Sequence, residues 1–194
     1  MVAMNDRLKI EGDGVYWGEL APCDHVMQIY DDDEALLATL ENYVGEGLDA
    51  GEGVIVIATA SHREALARRL EDAGYELEAA VREDRYIALS AQDTLDRFMV
   101  AGSPDEERFN EVVQEVIGRA RRGGRKVRAY GEMVALLWAR GNRAATVRLE
   151  YLWNGLLRDE KFPLYCAYPR FNFTRHSTLA IDAVCAEHTR VFGG

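Results

Sequence analysis

The apolar run Val-Ile-Val-Ile-Ala at residues 54–58 constrains the fold of this chain more than any other stretch. A strand with one face in water alternates apolar and polar residues, whereas this run contains no polar residue. A continuous β-branched run is typical of a parallel strand that helices cover on both faces. The sequence therefore predicts an α/β fold built around a buried sheet.

Strand-like runs alternate with helical patterns along the rest of the chain. We expect five central strands, at residues 25–30, 54–59, 85–89, 126–130 and 163–168. Between them, apolar residues recur at the spacing of amphipathic helices. This order predicts a three-layer α/β fold, with a mostly parallel sheet of about five strands and helices on both faces. We interpret residues 1–20 as an irregular N-terminal arm and residues 21–194 as a single domain.

The charge balance and the cysteine count limit the classes of function. The formal net charge is -10, which argues against direct binding of nucleic acid, because such binding requires basic groups that neutralise phosphates. No apolar run has transmembrane length and the first residues lack a signal-peptide core, so we expect a cytoplasmic protein without a membrane partner. Three cysteines predict free thiols rather than a disulfide framework.

The loop after the first predicted strand excludes the usual phosphate-binding arrangement. In a P-loop, glycine N–H groups and a lysine surround the phosphates. Here the loop reads Tyr-Asp-Asp-Asp-Glu at residues 30–34, without glycine or lysine. We therefore expect no ATP hydrolysis by a P-loop mechanism. The dinucleotide motif G-x-G-x-x-G is also missing after every predicted strand. We expect no cofactor, because the apolar strands and amphipathic helices suffice for a core.

The stretch from Lys126 to Pro169 contains the densest set of chemically informative residues. A strand breaks at Gly131 and places Glu132 at the start of an apolar helix, where the helix dipole favours a carboxylate. That helix, residues 133–139, ends before Gly141, which we expect to adopt the left-handed cap conformation. A second helix follows from Asn142 and places Glu150 beside its apolar stripe.

Polar residues cluster where the predicted strands end. The carboxyl ends of parallel strands share one edge of the sheet, where ligands of α/β proteins bind. The groups expected there are Tyr30 with Asp31, Thr59 to His62, Ser90, Tyr130 with Glu132, and Tyr168. These groups predict the rim of a pocket.

Several motifs together resemble one family. They are the strand His25 to Tyr30 with its acidic helix start, Gly53 to Thr59, Tyr130-Gly-Glu-Met-Val, Leu149-Glu-x-x-Trp-Asn154 and Cys166-Ala-Tyr-Pro169. In this order they resemble the MEDS family, named for methanogens, methylotrophs and the sensory domain of a dichloromethane-operon regulator. The resemblance implies a RecA-like or KaiC-like domain that has lost its nucleotide-binding loop and that senses small organic molecules.

The resemblance and the strand-end positions together give the candidate ligand-binding residues. They are His25, Tyr30, Tyr130, Glu132, Glu150, Trp153, Asn154, Cys166 and Tyr168. Each has an ordinary structural alternative: for example, a tryptophan on a helix is more often core, and a strand cysteine is more often inert packing. We expect a non-catalytic site in which the two glutamates orient a polar or cationic group between aromatic walls.

Members of such a family are often attached to histidine kinases or DNA-binding modules. Only 26 residues follow the last predicted strand here, too few for a kinase or a helix-turn-helix domain, so we expect the output to pass to a separate protein. The expected partner is a histidine kinase, a transcription or sigma-factor regulator, or a second copy of the chain. A closing helix with Leu179, Ile181, Val184, Cys185 and His188 could serve such a contact or dock on the core.

The sequence also permits three other functions besides ligand sensing. Cys23 and His25 lie two apart on one strand face, so they could bind a metal together with Cys166 or Glu132. Glu132 and Glu150 could instead be the acid and base of an enzyme. The chain could also be a pure interaction module that binds a partner through its acidic surface and N-terminal arm.

Overall fold

Six parallel strands form the central sheet, and a short antiparallel ribbon lies outside it. In the computed structural model the described residues are 17, 20–173 and 178–193, apart from the side chains at 172, 178 and 179. The strands are β1 (His25–Tyr30), β2 (Gly53–Ala58), β3 (Tyr86–Ser90), β4 (Met99–Val100), β5 (Ser103–Pro104), β6 (Val127–Gly131), β7 (Leu164–Pro169) and β8 (Arg190–Gly193). The sheet order is β3-β2-β6-β7-β1-β8, and β4 pairs with β5.

Helices connect these strands. They are α1 (Asp33–Asp49), α2 (Ala60–Asp72), α3 (Leu77–Arg82), α4 (Ala91–Phe98), α5 (Glu106–Ala120), α6 (Met133–Ala139), α7 (Arg143–Glu160), α8 (Arg170–Phe173) and α9 (Thr178–Ala186), with a 3-10 turn at Arg122–Gly124. Within the described part of the chain, no helix combines the length and the apolar character needed to cross a membrane.

The predicted fold class is confirmed: the sheet is parallel and helices cover both of its faces. Helices α1 to α3 pack on one face, against side chains such as Val54 and Val56. Helices α4 to α7 and α9 pack on the other face, against Ile55 and Ile57. The chain runs from β1 through β2 to β3 in one direction across the sheet and returns in the other. Right-handed crossovers therefore place the two groups of helices on opposite faces.

All five predicted strands are present, each within one residue of its expected limits. The sixth strand, β8, was not predicted. It pairs with β1 at the edge of the sheet, and its only large apolar residues are Val191 and Phe192, which is too short a pattern to indicate a strand.

Two local predictions about helix ends have different outcomes. Gly141 has a φ of +78° after α6, so the expected left-handed conformation is confirmed. The sequence predicts that Ser61 caps a helix running from His62 to Ala73, but α2 begins at Ala60, and the Thr59 hydroxyl accepts a hydrogen bond from the His62 N–H. The apolar strand ends one residue earlier than expected, which leaves Thr59 in the extended conformation that a capping residue requires.

The predicted N-terminal arm lies mostly outside the described residues, which include only Trp17 and Leu20 of it. The Trp17 side chain is 4% exposed. Its ring lies 4.9 Å from that of Tyr43 and 5.2 Å from that of Tyr165. Trp17 therefore belongs to the core beneath α1.

Candidate functional site

The nine candidate ligand-binding residues do not form one pocket. Tyr30 and Tyr130 point to the face covered by α1 to α3, whereas Cys166 and Tyr168 point to the opposite face. Adjacent strands in register direct paired residues to the same side, and Tyr130 pairs with Tyr165 rather than with Cys166. The structure therefore separates the candidates into two clusters.

The first group, here called the edge cluster, consists of Tyr30, His62, Tyr130 and Glu132. It lies at the carboxyl ends of the neighbouring strands β2 and β6. The Glu132 N–H donates to the Ile57 carbonyl at 2.9 Å, which ties the residue after β6 to the end of β2. Helix α2 then leaves on one face of the sheet and α6 leaves on the other. Such a divergence opens the crevice in which α/β sheets bind ligands.

Glu132 is the centre of the edge cluster. Its carboxylate accepts hydrogen bonds from the Thr59 N–H at 2.7 Å and the Tyr130 hydroxyl at 2.8 Å. It also bonds to Nδ1 of His62. The other ring nitrogen of His62 lies 3.4 Å from an oxygen of Asp33, whose side chain is 70% exposed. The imidazole therefore lies between a buried carboxylate and one in solvent.

The surroundings of the edge cluster raise the pKa values of two of its side chains, His62 and Tyr30. The hydrogen bond to Glu132 is the main reason that the pKa of His62 is raised from its ordinary value. Burial raises the pKa of Tyr30, with smaller contributions from the charges of Glu132 and Asp33. Both shifts favour the protonated forms of these two side chains, so the cluster offers hydrogen-bond donors around one carboxylate.

The second group, here called the buried cluster, consists of His25, Glu150, Asn154, Cys166, Tyr168 and His188. It lies between β1 and β7 on one side and α7 and the segment after α9 on the other. The side chains of His25, Glu150 and His188 have no solvent exposure. His188 reaches the cluster because the Thr189 N–H donates to the His25 carbonyl at 2.7 Å, just before β8 pairs with β1.

Both histidines of the buried cluster use Nδ1 to bond to the backbone. His25 Nδ1 lies 3.1 Å from the Glu187 carbonyl and 3.0 Å from the Asn154 side-chain oxygen. His188 Nδ1 lies 2.8 Å from the Val184 carbonyl. A carbonyl oxygen only accepts, so Nδ1 carries the proton in both rings. In each neutral imidazole, Nε2 then has no proton, and its lone pair faces the cluster.

The other side chains converge on these Nε2 atoms. His25 Nε2 lies 3.4 Å from Cys166 Sγ and 3.4 Å from Glu150 Oε2. His188 Nε2 lies 3.6 Å from Glu150 Oε1, which also accepts a hydrogen bond from the Tyr168 hydroxyl. Among the described residues, Glu150 Oε2 and His188 Nε2 have no hydrogen-bond partner. Buried polar atoms are nearly always paired, so these two indicate a missing partner.

Burial dominates the electrostatics of this cluster. It lowers the pKa of His25 to about 4 and raises the pKa of Glu150 to about 8. It also raises the pKa of the Cys166 thiol and lowers the pKa of His188. All four side chains therefore favour their neutral forms in the absence of a cation. The close approach of His25 to Glu150 is consequently no ion pair at neutral pH.

Two candidate residues lie outside both clusters, and the proposed pair of glutamates is divided between the clusters. Trp153 packs edge-to-face on Phe109, with ring centroids 4.9 Å apart, inside the core. Cys23 is a half-buried free cysteine and is not among the four clustered side chains, His25, Glu150, Cys166 and His188, whose ligand atoms lie close enough to hold a metal ion. Glu132 and Glu150 lie in different clusters on opposite faces of the sheet and share no described hydrogen-bond partner.

Two residues of these clusters, His62 and His188, were not among the ligand-binding residues predicted from the sequence. His62 was placed at the expected pocket rim without a site role, and His188 was assigned to the closing helix. The signal for His62 was its position three residues after a strand end. For His188 the only sequence signal was its residue type, because the pairing of β8 with β1 that brings it to the cluster was not predicted.

Three pockets among the described residues lie away from both clusters, and one of them is larger than the other two. This larger pocket has a volume of about 500 Å³ and lies at the amino ends of β6 and β7, where Trp17, Arg128 and Pro163 form part of its lining. None of the nine candidates contributes to it. The candidate ligand-binding residues therefore lie in the two clusters and not in this pocket, apart from Trp153 in the core.

Comparisons with known proteins agree with the resemblance found in the motifs. A sequence model described as the methanogen/methylotroph, DcmR sensory domain, MEDS, matches residues 24–189. No curated protein matches the sequence significantly. A solved structure from Pyrococcus horikoshii OT3 has a TM-score of 0.58 and 11% sequence identity, covering 92% of this chain and 85% of the other. At that identity the structural match supports the fold alone.

Proposed function

This chain belongs to the MEDS family of sensory domains, and on that premise we propose that it binds a small organic molecule at the edge cluster and signals through a separate protein. The observation that carries the proposal is the position of Glu132. The Glu132 N–H donates to the Ile57 carbonyl and the Glu132 carboxylate accepts from the Thr59 N–H, so this residue connects the ends of β2 and β6. It therefore lies at the point where the connections diverge to opposite faces of the sheet.

The chemistry of the edge cluster favours a ligand that carries an amine or a hydroxyl group. Glu132 supplies an acceptor, and the rings of Tyr30 and Tyr130 supply apolar surface beside it. His62 occupies the position between Glu132 and solvent, and its side chain is 11% exposed. A ligand that donates to Glu132 would replace this imidazole. Rotation of His62 and movement of the start of α2 would then follow binding and give the signal a structural basis.

The missing nucleotide loop supports the same proposal. The residues that cap α1 are Asp32 and its acidic neighbours, with the Asp32 carboxylate accepting from the Ala35 N–H at 2.9 Å. This arrangement repels phosphates and leaves the neighbouring crevice to neutral or cationic molecules. A non-catalytic role is the one that a sensory family favours.

A thermal-shift screen with small amines, alcohols and halogenated hydrocarbons tests the proposal. We expect at least one compound to raise the melting temperature of the wild-type protein, and we expect Glu132→Gln to abolish that shift. The matched control is Glu107→Gln, which removes an exposed carboxylate from α5 and should retain the shift. A shift that survives Glu132→Gln, or no shift with any compound, would contradict binding at the edge cluster.

The output to a separate protein requires its own test. Tagged wild-type protein with and without the compound found in the screen is compared with tagged Glu132→Gln in a pull-down. We expect a partner, either a regulatory protein or a second copy of the chain, whose recovery depends on the compound only for the wild type. Recovery that ignores the compound would argue for a pure interaction module instead.

A further inference from the structure

The geometry points to a metal site in the buried cluster, and we propose that His25, Glu150, Cys166 and His188 together bind one divalent transition-metal ion of the Zn²⁺ type. Each residue offers one ligand atom, and these atoms all lie within 4.8 Å of one another. The proposal is independent of the edge cluster, which lies on the other face of the sheet. It assigns a ligand to a group of side chains that the sensory proposal does not use.

The tautomers of the two histidines are those of metal ligands. Nδ1 of His25 and Nδ1 of His188 each bond to a backbone carbonyl, that of Glu187 and that of Val184 respectively. This is the usual outer-shell arrangement, in which one ring nitrogen is held by an acceptor and the other binds the metal. Asn154 strengthens it, because its side-chain oxygen also lies 3.0 Å from His25 Nδ1.

The unpartnered atoms point to a cation rather than to another polar group of the protein. Glu150 Oε2 and His188 Nε2 lack a hydrogen-bond partner among the described residues, and their side chains have no exposure to solvent. In the ionised carboxylate that a bound cation favours, Glu150 Oε2 is an acceptor, as are His188 Nε2 and His25 Nε2 beside it. Lone pairs that converge in a dry interior are stabilised by a positive ion between them.

The distances suit a tetrahedral ion. Bonds of about 2.0–2.1 Å to nitrogen and about 2.3 Å to sulfur place tetrahedral ligand atoms roughly 3.3–3.6 Å apart. The separations of His25 Nε2 from Cys166 Sγ and from Glu150 Oε2 are both 3.4 Å, and all four ligand atoms lie within 4.8 Å of one another. His188 Nε2 lies 3.6 Å from the other carboxylate oxygen, Glu150 Oε1. Small side-chain movements are enough to complete the geometry.

The charge of the donor set fits a buried divalent ion. A thiolate from Cys166 and a carboxylate from Glu150 together carry two negative charges, and the two imidazoles are neutral. The complex is therefore neutral overall, which lowers the cost of placing it in an apolar interior. Two nitrogens, one sulfur and one oxygen form a complete tetrahedral shell, which is typical of a structural site rather than of a catalytic one.

The wild-type protein provides the first test. It is purified without chelator from cells grown with added zinc, and separately with added cobalt, and the metal content is measured by mass spectrometry. We expect one ion per chain, and in the cobalt protein a thiolate-to-metal charge-transfer band in the near ultraviolet. Protein that carries no stoichiometric ion from either culture would overturn the proposal.

Matched variants assign the ligands. We expect Cys166→Ser to abolish the charge-transfer band and to weaken metal binding by more than about a hundredfold, beyond the effect of outer-shell changes. The controls Cys185→Ser and Cys23→Ser should retain the band. His188→Gln should weaken binding to a similar degree, whereas His62→Gln should leave it unchanged. A band retained by Cys166→Ser, or wild-type affinity in His188→Gln, would contradict the assignment.

Circular dichroism of each variant identifies any that fail to fold, and the band of the wild-type cobalt protein answers the question without variants. The metal proposal and the sensory proposal can fail separately. Glu132→Gln should lose the response to small organic molecules while retaining one metal ion per chain. A loss of both properties in this variant would contradict the independence of the two sites.

Discussion

His25 and His188 lie with their ring centroids 4.0 Å apart and their planes inclined by 38°. They come from opposite ends of the domain sequence and meet because β8 lies beside β1. His25 Nε2 faces both the Glu150 carboxyl and the Cys166 thiol, and His188 Nε2 faces the same carboxyl from the other side chain of the pair. This convergence of side chains is the geometric basis of the metal proposal.

The hydroxyl of Tyr168 gives the first prediction. It donates to Glu150 Oε1 and so orients the carboxylate that the metal proposal requires. We expect Tyr168→Phe to weaken Zn²⁺ binding by about 10- to 100-fold, the effect of removing an outer-shell partner. Metal competition with a chromogenic chelator measures this loss.

Tyr165→Phe is the matched control for that variant. Tyr165 lies on the same strand and is equally buried, but its hydroxyl donates to Gln28 on the opposite face of the sheet. The two variants therefore lose the same atom from β7 on different sides. Equal losses of zinc affinity would mean that the effect passes through the strand and not through Glu150.

The hydrogen bond between His62 and Glu132 predicts a dependence of stability on pH. It raises the pKa of His62 in the folded protein, while an unfolded histidine titrates near about 6.5. The stabilisation is fully present below the unfolded value and is lost as the pH rises through the folded value. We expect His62→Gln to lower the free energy of unfolding by about 2 kcal/mol at mildly acidic pH and by less at alkaline pH.

Urea unfolding of both proteins across that pH range measures the difference. Glu64→Gln, which removes an exposed carboxylate from the same helix, is the control and should change stability by less than about 0.5 kcal/mol throughout. A loss in His62→Gln that stays constant from acidic to alkaline pH would rule out a contribution from the protonated imidazole.

Much of the fold could be predicted because local patterns determine it. The apolar run in β2 needs cover on both faces, and the alternation of strands and helices leaves few topologies with a parallel sheet. Gly141 was predicted correctly for a similar reason, since its conformation depends on the helix end beside it. By contrast, Arg190–Gly193 becomes a strand only because the edge of β1 is available to it.

The candidate site could be predicted only in part, because it depends on register between distant strands. The sequence indicates that Cys166 and Tyr168 share a face of β7, since residues two apart on a strand do so. It does not indicate that Tyr130 pairs with Tyr165. That pairing places Tyr130 and Glu132 on the opposite side from Cys166. Residues of two separate clusters were consequently interpreted as one pocket.

Trp153 gives a prediction that separates core from ligand contact. It is 1% exposed and packs on Phe109. We expect Trp153→Ala to lower the free energy of unfolding by about 3–5 kcal/mol. The milder Trp153→Phe should retain both the metal content and the thermal shift with small organic molecules.

Tyr151→Ala, at a 51% exposed position on the same helix, is the control for the stability measurement and should cost less than about 0.5 kcal/mol. A loss of ligand response in Trp153→Phe, with stability close to that of the wild type, would return Trp153 to the ligand-binding residues that the family resemblance implied.

The separation of Glu132 from Glu150 gives the last prediction, which tests the alternative that the two are the acid and base of one enzyme. Such a pair must act on the same substrate and would be energetically coupled. Because they lie on opposite faces of the sheet without a shared partner, we expect the effects of Glu132→Gln and Glu150→Gln on the unfolding free energy of metal-free protein to add within about 0.5 kcal/mol. The double variant Glu132→Gln with His62→Gln is the reference for coupling, since those side chains are in contact and should couple by about 0.5–3 kcal/mol. Coupling of that size between the two glutamates would mean that they share one site and would restore the enzyme interpretation.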